Sequence, residues 1–592
     1  MTVQGAPGAA SDGTPGEDAL VTSVLSALLR EDVVGLRTRS TALEQADGTW
    51  LRLATGDHDA LLMPVSAARP GFQSTLEARL PLLRRESDGA ELADTDSIMT
   101  ALAGLADPVD RDGFDAFATE CRQALAALRL HTATGDEVTA QLTDAYGPDP
   151  ARWTGLAAGL AFDTPAARTD HPVYPTGRSR SGLTEGELRS YAPEFHQRFP
   201  LRWLAVHRDR LTAHGPTDQL PWPTPSSLGL PPGLDDTHQA VPVHPLTAGG
   251  PLRQALRDTG LDALLAETPY LEALPTLSMR TVALTAHPGI HLKLPLATAT
   301  LGRLNRRTIK PGTLIDGAAT GRLLETVIGR TPRFRDTVLL ADESTFVHAG
   351  HELLAVLVRR YPAGLDETTV VPMAALLGTS PGGGLVIDRL ADRFYTGDPV
   401  ALLDAVLILL LDWQTTLFGH GIALESHGQN ISLLLDRNSG RTRLRLLFKD
   451  NDGPRVNAAR MRASLGQDAP AREEFDDPRI FTDSDEPVLD LFTTITVHLC
   501  AGAYAFGLAR HGRAPLDALL TLVRERLAEA CERLGTGPGQ AGAVLRAHVL
   551  DATDLPVKAM VTAGTLLSKD RSGASDINKH YSTGPNYLLR GA

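Results

Sequence analysis

The sequence predicts an α+β fold with an antiparallel sheet that carries the chemistry and a helical C-terminal part. Apolar residues recur at helical spacing near both ends of the chain, as in "DALVTSVLSALLRED" and "ALLTLVRERLAEACERLG". Short β-branched runs in the middle, such as "AVPVHPL", are bounded by Pro and Gly, which is typical of strands. "DRNSGR" separates two apolar runs and is suited to a hairpin turn.

The length of the chain predicts several structural units. At 592 residues it is too long for one hydrophobic core, and about three or four units are expected. Residues 1–18 are rich in Gly, Ala and Pro, which predicts a disordered tail. We expect a helical domain over residues 19–160, a second domain over 161–400 and a third over 401–592.

Individual segments carry more specific expectations. Residues 17–165 have mostly helical patterning, and "PEFHQRFPLRWLAVHRDRL" is expected to resume a helix. "LSMRTVALT" and "GIHLKLPLATATLG" alternate as strands do, whereas residues 350–420 are expected to be rich in helix. "TRLRLLFKDNDG" is expected to start as the second arm of the hairpin.

The composition argues against nucleic acid and membrane as partners. The chain has 57 basic and 71 acidic residues, a net charge of −14, whereas a nucleic-acid binder needs a concentrated basic face. The longest apolar run, "ALLDAVLILLLDW", is too short to span a bilayer and carries Asp404 and Asp412, so we expect a buried helix.

The cysteines and the first residues indicate a cytoplasmic protein. Cys121, Cys500 and Cys531 lie far apart without a CxxC spacing, which fits reduced structural thiols. The first residues lack the positive and apolar regions of a secretion signal.

Two familiar catalytic motifs do not apply. The chain has no GxxxxGK[ST], so it has no P-loop. "GTSPG" fits a nucleophile elbow on Ser380, but the residue that should donate its N–H to the oxyanion is Pro381, which has none. A hydrolase is therefore not expected.

The stretch "GIALESHGQNISLLL" is the most informative in the chain. A strand through it would place Glu425, His427 and Gln429 on one face, because successive side chains of a strand point in opposite directions. This pattern predicts a floor that is apolar below and chemically active above. The alternative is a solvent-exposed strand edge or a helix cap.

Basic residues on strand-like segments point to an anion. Ser278 and Arg280 are two residues apart and are expected to face the same way, and Lys293 lies between apolar neighbours, where an unpaired charge is costly. Asp450 and Asp452 in "KDNDG" form a hard-oxygen pair suited to Mg²⁺. The combination predicts a phosphate-handling site; the alternative for each cation alone is a structural salt bridge.

Six motifs in order resemble the IucA/IucC family, the siderophore synthetases that act independently of nonribosomal peptide synthetases. The motifs are "HPVYPTGRSRSG", "VPVHP", "LSMRT", "HLKLPL", "ESHGQN" and "KDNDG", and "LPVKAMVTAGTLLSKD" resembles the closing segment of the family. The resemblance implies a cupped-hand architecture, with the thumb over residues 19–160, the fingers over 161–400 and the palm over 401–592. It covers residues from about 160 to the C-terminus.

The resemblance also implies an activity. Members of the family activate a carboxylate, commonly citrate, with ATP as an acyl-adenylate, and an amine, a hydroxylamine or occasionally an alcohol then captures it. We therefore expect an ATP- and Mg²⁺-dependent carboxylate–amine ligase that releases AMP and pyrophosphate and serves iron acquisition, acting as a homodimer. The alternatives are a non-siderophore or ester-forming ligase on the same scaffold and a non-catalytic protein that binds a siderophore or citrate.

Carried over position by position, the resemblance assigns roles to individual residues. His427, Arg280 and Lys293 would be catalytic, with His427 as a hydrogen-bond donor rather than a general base. The residues implied to bind ATP are Ser278, Arg280, Lys293, Thr300, His427, Gln429, Asn430 and Asp450. Those implied to bind the substrate carboxylate are His171, Arg178, Arg180, His427 and Arg306, and those implied to bind metal are Asp450, Asp452 and Glu425.

The chain departs from the family pattern at several positions. Tyr174 and Arg178 stand where a second His and a Lys are usual, and Asn305 stands where an Arg is expected, with Arg303, Arg306 and Arg307 beside it. "HPL" replaces His-Pro-Trp-Gln, and Lys449 precedes Asp450 in place of Arg. These departures cluster in the expected acid and amine pockets.

Overall fold

The computed structural model describes residues 15–56, 59–67, 71–572 and 580–591. The predicted disordered tail lies outside the described residues as far as residue 14, and residues 15–18 already belong to the first helix. The chain mixes helices with sheets whose strand pairs are mostly antiparallel, which confirms the α+β prediction.

The N-terminal domain combines a helical layer with a sheet. Its helices pack on the sheet around one hydrophobic core, which also takes in Tyr174, Met560 and Leu566 from distant parts of the chain. The sheet contradicts the prediction of a mostly helical region, because strands of two to eight residues, broken by turns, leave little periodic signal. The elements are α1 Pro15–Arg30, β1 Thr41–Gln45, β2 Gly48–Ala54, β3 Ala60–Ala67, β4 Leu76–Ala78, β5 Leu83–Arg85, β6 Glu91–Leu92, α2 Thr95–Ala103, α3 Arg111–Ala133 and α4 Gly135–Tyr146.

A nine-stranded antiparallel sheet forms the middle of the molecule. The strands follow the order β10-β7-β11-β12-β13-β16-β15-β8, and β9 pairs with β7. The elements are α5 Gly155–Gly159, α6 Asp163–Ala167, α7 Glu185–Tyr191, β7 Phe199–His207, β8 Thr212–His214, β9 His238–Val243, α8 Gly250–Thr259, β10 Ala263–Leu265, β11 Tyr270–Pro275, β12 Thr281–Leu284, β13 His287–Lys293, α9 Pro311–Arg330, β14 Val338–Leu340, β15 Asp342–His348 and β16 Ala355–Arg360.

Strand β7 corrects a predicted helix. Pro200 lies inside the segment, where a helix would lose a hydrogen bond and clash with the proline ring. The large apolar residues alternate at Phe199, Leu201 and Trp203, and all three are buried, as expected for a strand paired on both sides.

A four-stranded sheet and a helical core make up the rest of the chain. The sheet order is β14-β20-β19-β17, with β14 parallel to β20 and the other pairs antiparallel. The elements are β17 Thr369–Pro372, α10 Val386–Phe394, α11 Pro399–Gly419, β18 Ile422–Ala423, β19 Ile431–Asn438, β20 Arg441–Phe448, β21 Arg455–Asn457, α12 Ala458–Leu465, β22 Phe481–Thr482, α13 Glu486–Leu491, α14 Ala503–Arg510, α15 Leu516–Arg533, α16 Ala541–Leu545, β23 Asp554–Lys558, α17 Lys569–Ser572 and β24 Tyr581–Pro585, with π-helical turns over Phe492–Gly502, Arg546–Leu550 and Thr562–Leu566.

The predicted hairpin is confirmed. Strands β19 and β20 pair along their full length, and Ser439 and Gly440 both have positive φ, 51° and 80°. Positive φ at both central residues is the mark of the tight turn that matches the twist of a hairpin. The helix-rich prediction for residues 350–420 holds for α10 and α11, but β16 and β17 contradict it at its start.

Two helical stretches among the described residues are long and apolar enough to cross a membrane. Pro399–Gly419 and Glu486–Arg510 meet this test by length and composition alone. Within them, 61% and 83% of the most apolar window is buried inside the protein. Burial in the core accounts for their composition, and α11 is the buried helix that the sequence predicted.

Candidate active site

One cavity of about 370 Å³ gathers most of the predicted site residues. Its walls come from the loop after α6, the turn between β11 and β12, the loop after β13, the segment before β19, the turn after β20 and the helical C-terminal part. The polar residues that line it are Thr169, Asp170, His171, Arg180, Ser278, Arg280, Thr300, Asn305, Arg307, Glu425, His427, Gln429, Asn430, Asp450, Asp452, Tyr504 and Lys558.

Ser278 and Arg280 reach the cavity from a tight turn rather than from a strand. Strand β12 begins only at Thr281, and Met279 has a φ of 63°, in the left-handed region. The Ser278 carbonyl accepts from the Arg280 N–H at 2.7 Å, and its hydroxyl accepts from the Thr281 N–H at 3.0 Å. The predicted strand pattern is therefore wrong here, although both residues line the cavity.

Lys293 is the last residue of β13 and is almost fully buried. Its ammonium donates to Asp450 Oδ1 at 2.5 Å and to Asp452 Oδ2 at 3.1 Å. Its side chain is 4% exposed, and Lys293 does not line the cavity, whereas both carboxylates do. The resemblance implied that Lys293 contacts the ATP phosphates, with a structural salt bridge as the alternative; in the structure its ammonium is paired with two carboxylates.

Asp450 is held by an unusually complete set of partners. It has a φ of 60°, and its N–H donates to both carboxylate oxygens of Glu343, at 3.0 and 3.1 Å. Arg359 bonds to Glu343 and also donates to Asp450 Oδ1 at 3.3 Å. Burial alone would raise the pKa of Asp450, but Lys293, Arg359 and Arg280 outweigh it and hold that pKa well below its usual value.

The predicted three-carboxylate metal set is not assembled. Across the described residues, no three His, Cys, Asp or Glu side chains come together as a metal site. Lys293 takes Asp450 and Asp452, and Lys558 lies 3.3 Å from Glu425. The donor chemistry still fits Mg²⁺, because that ion is usually held by one or two carboxylates together with substrate phosphates.

Arg280 and Arg307 are the cations of the cavity that lack an acidic partner. Neither guanidinium lies within 4.0 Å of a carboxylate in the described part of the chain; Arg280 donates to the Thr308 carbonyl at 2.5 Å and Arg307 to the Ser278 carbonyl at 3.3 Å. Burial and the neighbouring Arg280 lower the pKa of Arg307 to about 9. Two like charges held side by side in a partly desolvated wall form a site for an anion.

The segment between β18 and β19 is a loop, which corrects the predicted strand. The His427 N–H donates to the Glu425 carbonyl at 3.1 Å, and the Asn430 N–H donates to the His427 carbonyl at 2.8 Å. A side chain at Gly428 would lie 2.7 Å from the Tyr504 hydroxyl, so the loop packs closely against α14. These turns place Glu425, His427, Gln429 and Asn430 in the cavity wall without the alternation of a strand.

In both His171 and His427, Nδ1 accepts a backbone hydrogen bond, which leaves Nε2 as the nitrogen that can bond to a ligand. Nδ1 of His171 accepts from the Tyr174 N–H at 3.0 Å, and Nδ1 of His427 accepts from the Gln429 N–H at 3.4 Å. With Nδ1 as acceptor, the proton of the neutral ring is on Nε2. Burial lowers the pKa of His171 to about 3 and that of His427 to about 4. Both rings are therefore neutral hydrogen-bond donors at pH 7.

Two predicted carboxylate-binding arginines lie outside the cavity wall. Arg178 donates to Asp170 at 2.7 Å and to the Arg168 carbonyl at 2.5 Å, so it fixes its own loop. Arg306 has a side chain that is 62% exposed and pairs with Glu352 at 3.2 Å. The charges of Arg178 and Arg306 are engaged by neighbouring acceptors, and their role in carboxylate binding stays a prediction. Arg180 does line the cavity, but it also pairs with buried Glu194 at 3.0 Å.

Sequence reasoning missed Arg307 and Lys558 as site residues. The sequence named Arg307 only as a neighbour of Asn305 and assigned carboxylate binding to Arg306. In the structure Arg307, one residue later, is the arginine that lines the cavity. Lys558, at the end of β23, is 5% exposed and lies 3.3 Å from Glu425. Its signal was a lysine in the apolar run "LPVKAM" of the closing segment.

Comparison with known sequences identifies two families in different parts of the chain. Residues 161–378 match the profile of the IucA/IucC family. Residues 401–572 match a profile described as a ferric iron reductase FhuF-like transporter. The three cysteines, expected to be reduced structural thiols, are all free and buried.

Curated relatives agree with the first match. The chain is 25% identical to staphyloferrin A synthase of Staphylococcus aureus (strain NCTC 8325 / PS 47) over 320 residues, 50% of this chain, and spans about half (53%) of the length of that relative. It is 26% identical to the rhizobactin siderophore biosynthesis protein RhbC of Rhizobium meliloti (strain 1021) over 532 residues, which cover 77% of this chain and 80% of the relative.

Solved structures share the fold over nearly the whole chain. The petrobactin biosynthesis protein AsbB of Bacillus anthracis str. Sterne has a TM-score of 0.73 at 17% identity, covering 97% of this chain and 96% of AsbB. The ATP-bound aerobactin synthetase IucA of a hypervirulent pathotype of Klebsiella pneumoniae has a TM-score of 0.66 at 20% identity, covering 96% and 99%. Residues 161–378 therefore match the IucA/IucC family that the order of the motifs indicated, and nearly the whole chain shares the fold of AsbB and IucA.

Proposed function

We propose that the protein is an ATP-dependent ligase of siderophore biosynthesis that activates a carboxylic acid, with citrate or a related polycarboxylate as the best candidate, and joins it to an amine or hydroxylamine. The observation that carries this proposal is the adjacent pair Arg280 and Arg307, which line the cavity without an acidic partner among the described residues. Such a pair is stabilised when an anion enters. A phosphate chain and a polycarboxylate are the anions that this reaction brings together.

The first step forms an acyl-adenylate. A carboxylate oxygen of the acid attacks the α-phosphorus of ATP, the bond to the β-phosphate oxygen breaks, and pyrophosphate leaves. The two anions repel each other, so the cavity must offset their charge. Arg280 and Arg307 do so directly, because fixed donors aimed at developing charge act strongly in a partly desolvated site.

Lys293 acts through its carboxylates rather than by facing the cavity. It fixes Asp450 and Asp452, which line the cavity at the turn after β20. These two carboxylates would hold a magnesium ion that accompanies ATP, and the ion would neutralise phosphate charge. Arg359 helps to keep Asp450 ionised, and Glu343 orients the turn by accepting from the Asp450 N–H.

The two histidines donate hydrogen bonds to the reacting groups. Their Nε2–H groups are available because both Nδ1 atoms already accept backbone N–H bonds. We assign His427 to an oxygen of the α-phosphate or acyl group, and His171 to the acid. Their low pKa values make a role as a base that changes charge near neutral pH unfavourable.

The second step transfers the acyl group to nitrogen. The amine attacks the acyl carbon, AMP leaves, and the nitrogen loses one proton as the amide forms. The relatives support this class of product, since two of them are named for siderophore synthesis and a structural neighbour is an aerobactin synthetase with ATP bound. A cytoplasmic location and a homodimer remain predictions.

ATP–pyrophosphate exchange tests the first step. Purified protein is given ATP, Mg²⁺ and labelled pyrophosphate with a panel of acids that includes citrate, succinate and acetate. We expect exchange that depends on a polycarboxylate. Product mass with a panel of amines, hydroxylamines and alcohols then identifies the nucleophile.

The alternatives give different outcomes in the same assay. Citrate binding by calorimetry without exchange would indicate a non-catalytic binding protein. Exchange followed by ester products alone would indicate an ester-forming ligase. Exchange with a monocarboxylate but with no polycarboxylate would contradict the proposed acid.

A further inference from the structure

Three cavity-lining segments meet at one side chain of the N-terminal domain. The first loop (residues 170–182) carries His171 and Arg180, and the second loop (residues 299–307) carries Thr300 and Arg307. The closing segment (residues 559–566) carries Met560. All these residues line the cavity. The shared side chain is Glu120, which lies in the middle of α3 and is buried.

The Glu120 carboxylate accepts hydrogen bonds from two of these segments directly. Oε2 accepts from the Tyr174 hydroxyl at 2.8 Å and from the Thr176 hydroxyl at 3.2 Å, and Oε1 accepts from the Thr565 hydroxyl at 2.6 Å. The Thr565 oxygen also accepts from the Arg303 N–H at 3.3 Å, which connects the second loop. Burial raises the pKa of Glu120 above its usual value, and the hydroxyl donors oppose that effect.

The backbones of α3, the second loop and the closing segment are in close contact, with no room for a side chain at two glycines. A side chain at Gly113 of α3 would lie 1.9 Å from the Leu566 carbonyl oxygen. A side chain at Gly302 of the second loop would lie 2.7 Å from the Gly564 carbonyl oxygen, and Gly302 has a φ of 112°. A shift of the closing segment would therefore move the second loop and α3 as well.

A second buried carboxylate holds the closing segment from the other side. Glu31, just after α1, accepts from the Val561 N–H at 3.0 Å and the Thr562 N–H at 2.8 Å. Arg30 beside it donates to the Val173 carbonyl at 2.5 Å, in the first loop. The N-terminal domain thus holds the first loop through Arg30 and the closing segment through Glu31, in addition to the bonds of Glu120.

We propose that Glu120 is a positioning residue for the acid-binding half of the cavity. It touches no substrate; it sets the first loop, the second loop and the closing segment relative to one another. The remaining half, formed by Ser278, Arg280, His427 and Asp450, is held by the sheets and makes no contact with Glu120. This inference rests on the proposed function only for the identity of the acid.

The kinetic test uses Glu120→Gln, which keeps the shape of the side chain and removes its charge. Citrate serves as the acid probe in the exchange assay. Because misplacing the groups that hold a substrate weakens its binding, we expect the KM for citrate to rise about tenfold or more and the KM for ATP to rise by a smaller factor. Tyr174→Phe removes one donor and should raise the KM for citrate by about threefold.

Asp110→Asn is the matched control. Asp110 is a buried carboxylate of the same domain that pairs with Arg571 at 2.9 Å, beyond the three segments. It should lower the melting temperature without changing either KM. If Asp110→Asn and Glu120→Gln raise both KM values equally, Glu120 has only a structural role.

Hydrogen–deuterium exchange separates this inference from the proposed function. In Glu120→Gln we expect faster amide exchange in residues 170–182, 299–307 and 559–566, with no change in β19, Ile431–Asn438, which pairs with β17 and β20 and not with these segments. Uniform change, or no change, overturns the inference. If the wild-type protein shows no pyrophosphate exchange with any acid, the proposed function fails, and the amide exchange pattern still decides the role of Glu120.

Discussion

The two ends of the β19–β20 hairpin carry arginine clusters that differ in whether the guanidinium groups bond to a carboxylate. Near the turn, Asp436 accepts from Arg443 at 2.8 Å and from Arg445 at 2.8 Å, and the Thr368 hydroxyl completes the set. At the other end, the strands lead into the loop of His427 and the turn of Asp450, where Arg280 and Arg307 lie without acidic partners.

The difference shows how a site can be told from a structural ion pair. Both arginines near the turn bond directly to the Asp436 carboxylate. At the cavity end, Lys293 and Arg359 bond to Asp450, whereas Arg280 and Arg307 donate only to backbone carbonyls among the described residues. Guanidinium groups that bond to no carboxylate and line a concave wall indicate an anionic ligand.

The largest expected effect comes from Lys293→Ala. The variant leaves Asp450 and Asp452 without their shared cation, and the exchange rate should fall by about 10²–10³. The melting temperature should also fall, because the pair is almost fully buried. Arg445→Ala, at the other end of the hairpin, should lower the melting temperature and leave the rate within about twofold. A normal exchange rate in Lys293→Ala would mean that the ion pairs of Lys293, like those of Arg445, only stabilise the fold.

Arg307→Ala should have the next largest effect. Loss of a charged hydrogen-bond donor to an anion is worth about 1.5 to 3 kcal/mol, so kcat/KM for citrate or for ATP should fall about 10- to 100-fold. Arg306→Ala removes an exposed side chain next to it and should change kcat/KM by less than about twofold. Steady-state kinetics with each substrate varied in turn makes the comparison; a larger effect at Arg306 would contradict the observed register.

The pH dependence of the free energy of unfolding should be that of a folded state in which His427 stays neutral between about pH 6.5 and 4. Its pKa is lowered to about 4, below the usual value near 6.5, so the folded ring stays neutral throughout that interval. The unfolded chain takes up the proton first, and the free energy of unfolding should therefore decrease as the pH falls from about 6.5 towards 4.

Exchange kinetics of a variant test the same point. His427→Gln keeps an N–H donor and should retain the wild-type pH profile of kcat at saturating citrate and ATP, with a rate reduced by about tenfold. His427→Phe removes the donor and should lose about 10²-fold or more. A wild-type ionisation near pH 6.5 that disappears in His427→Gln would instead identify a general base.

The smallest effect is expected from Ser380→Ala. Ser380 is buried at a turn, does not line the cavity, and is followed by a proline that has no N–H for an oxyanion. Exchange activity should stay within about twofold of wild type, with little change in the melting temperature. Loss of activity in a folded variant would favour a hydrolase.

The sequence predicted the site better than it predicted the elements around it. Lys293, Asp450, His427 and Arg280 were found because polar residues stood where apolar patterning called for core. In the structure Arg280, His427 and Asp450 line one cavity, and Lys293 lies behind its wall, bonded to Asp450. The loop of His427 was misjudged as a strand, because its turns depend on backbone bonds and on the close contact of Gly428 with α14, which no local pattern reports.

Other failures depend on contacts between distant parts of the chain. The choice between Arg306 and Arg307 is set by the backbone bonds of Arg307 to Leu296 and Thr298, which fix the register of the loop. Tyr174, which stands in place of a usual histidine, is buried against Glu120, 54 residues earlier. The N-terminal sheet and β7 were missed because their strands are short or contain a proline, and pairing with other strands decides their form.

The junction at Glu120 has a consequence for changing which acid the protein accepts. A loop transplanted from a relative into residues 170–182 would have to supply the two hydroxyls that Tyr174 and Thr176 give to Glu120, and it would have to fit a helix and a closing segment that stay in the host chain. The unit of exchange is therefore a set of three segments and one helix, and libraries that vary a single loop should yield mostly inactive chains. Recombination between relatives should succeed most often when residues 111–133 and 559–566 come from the same parent.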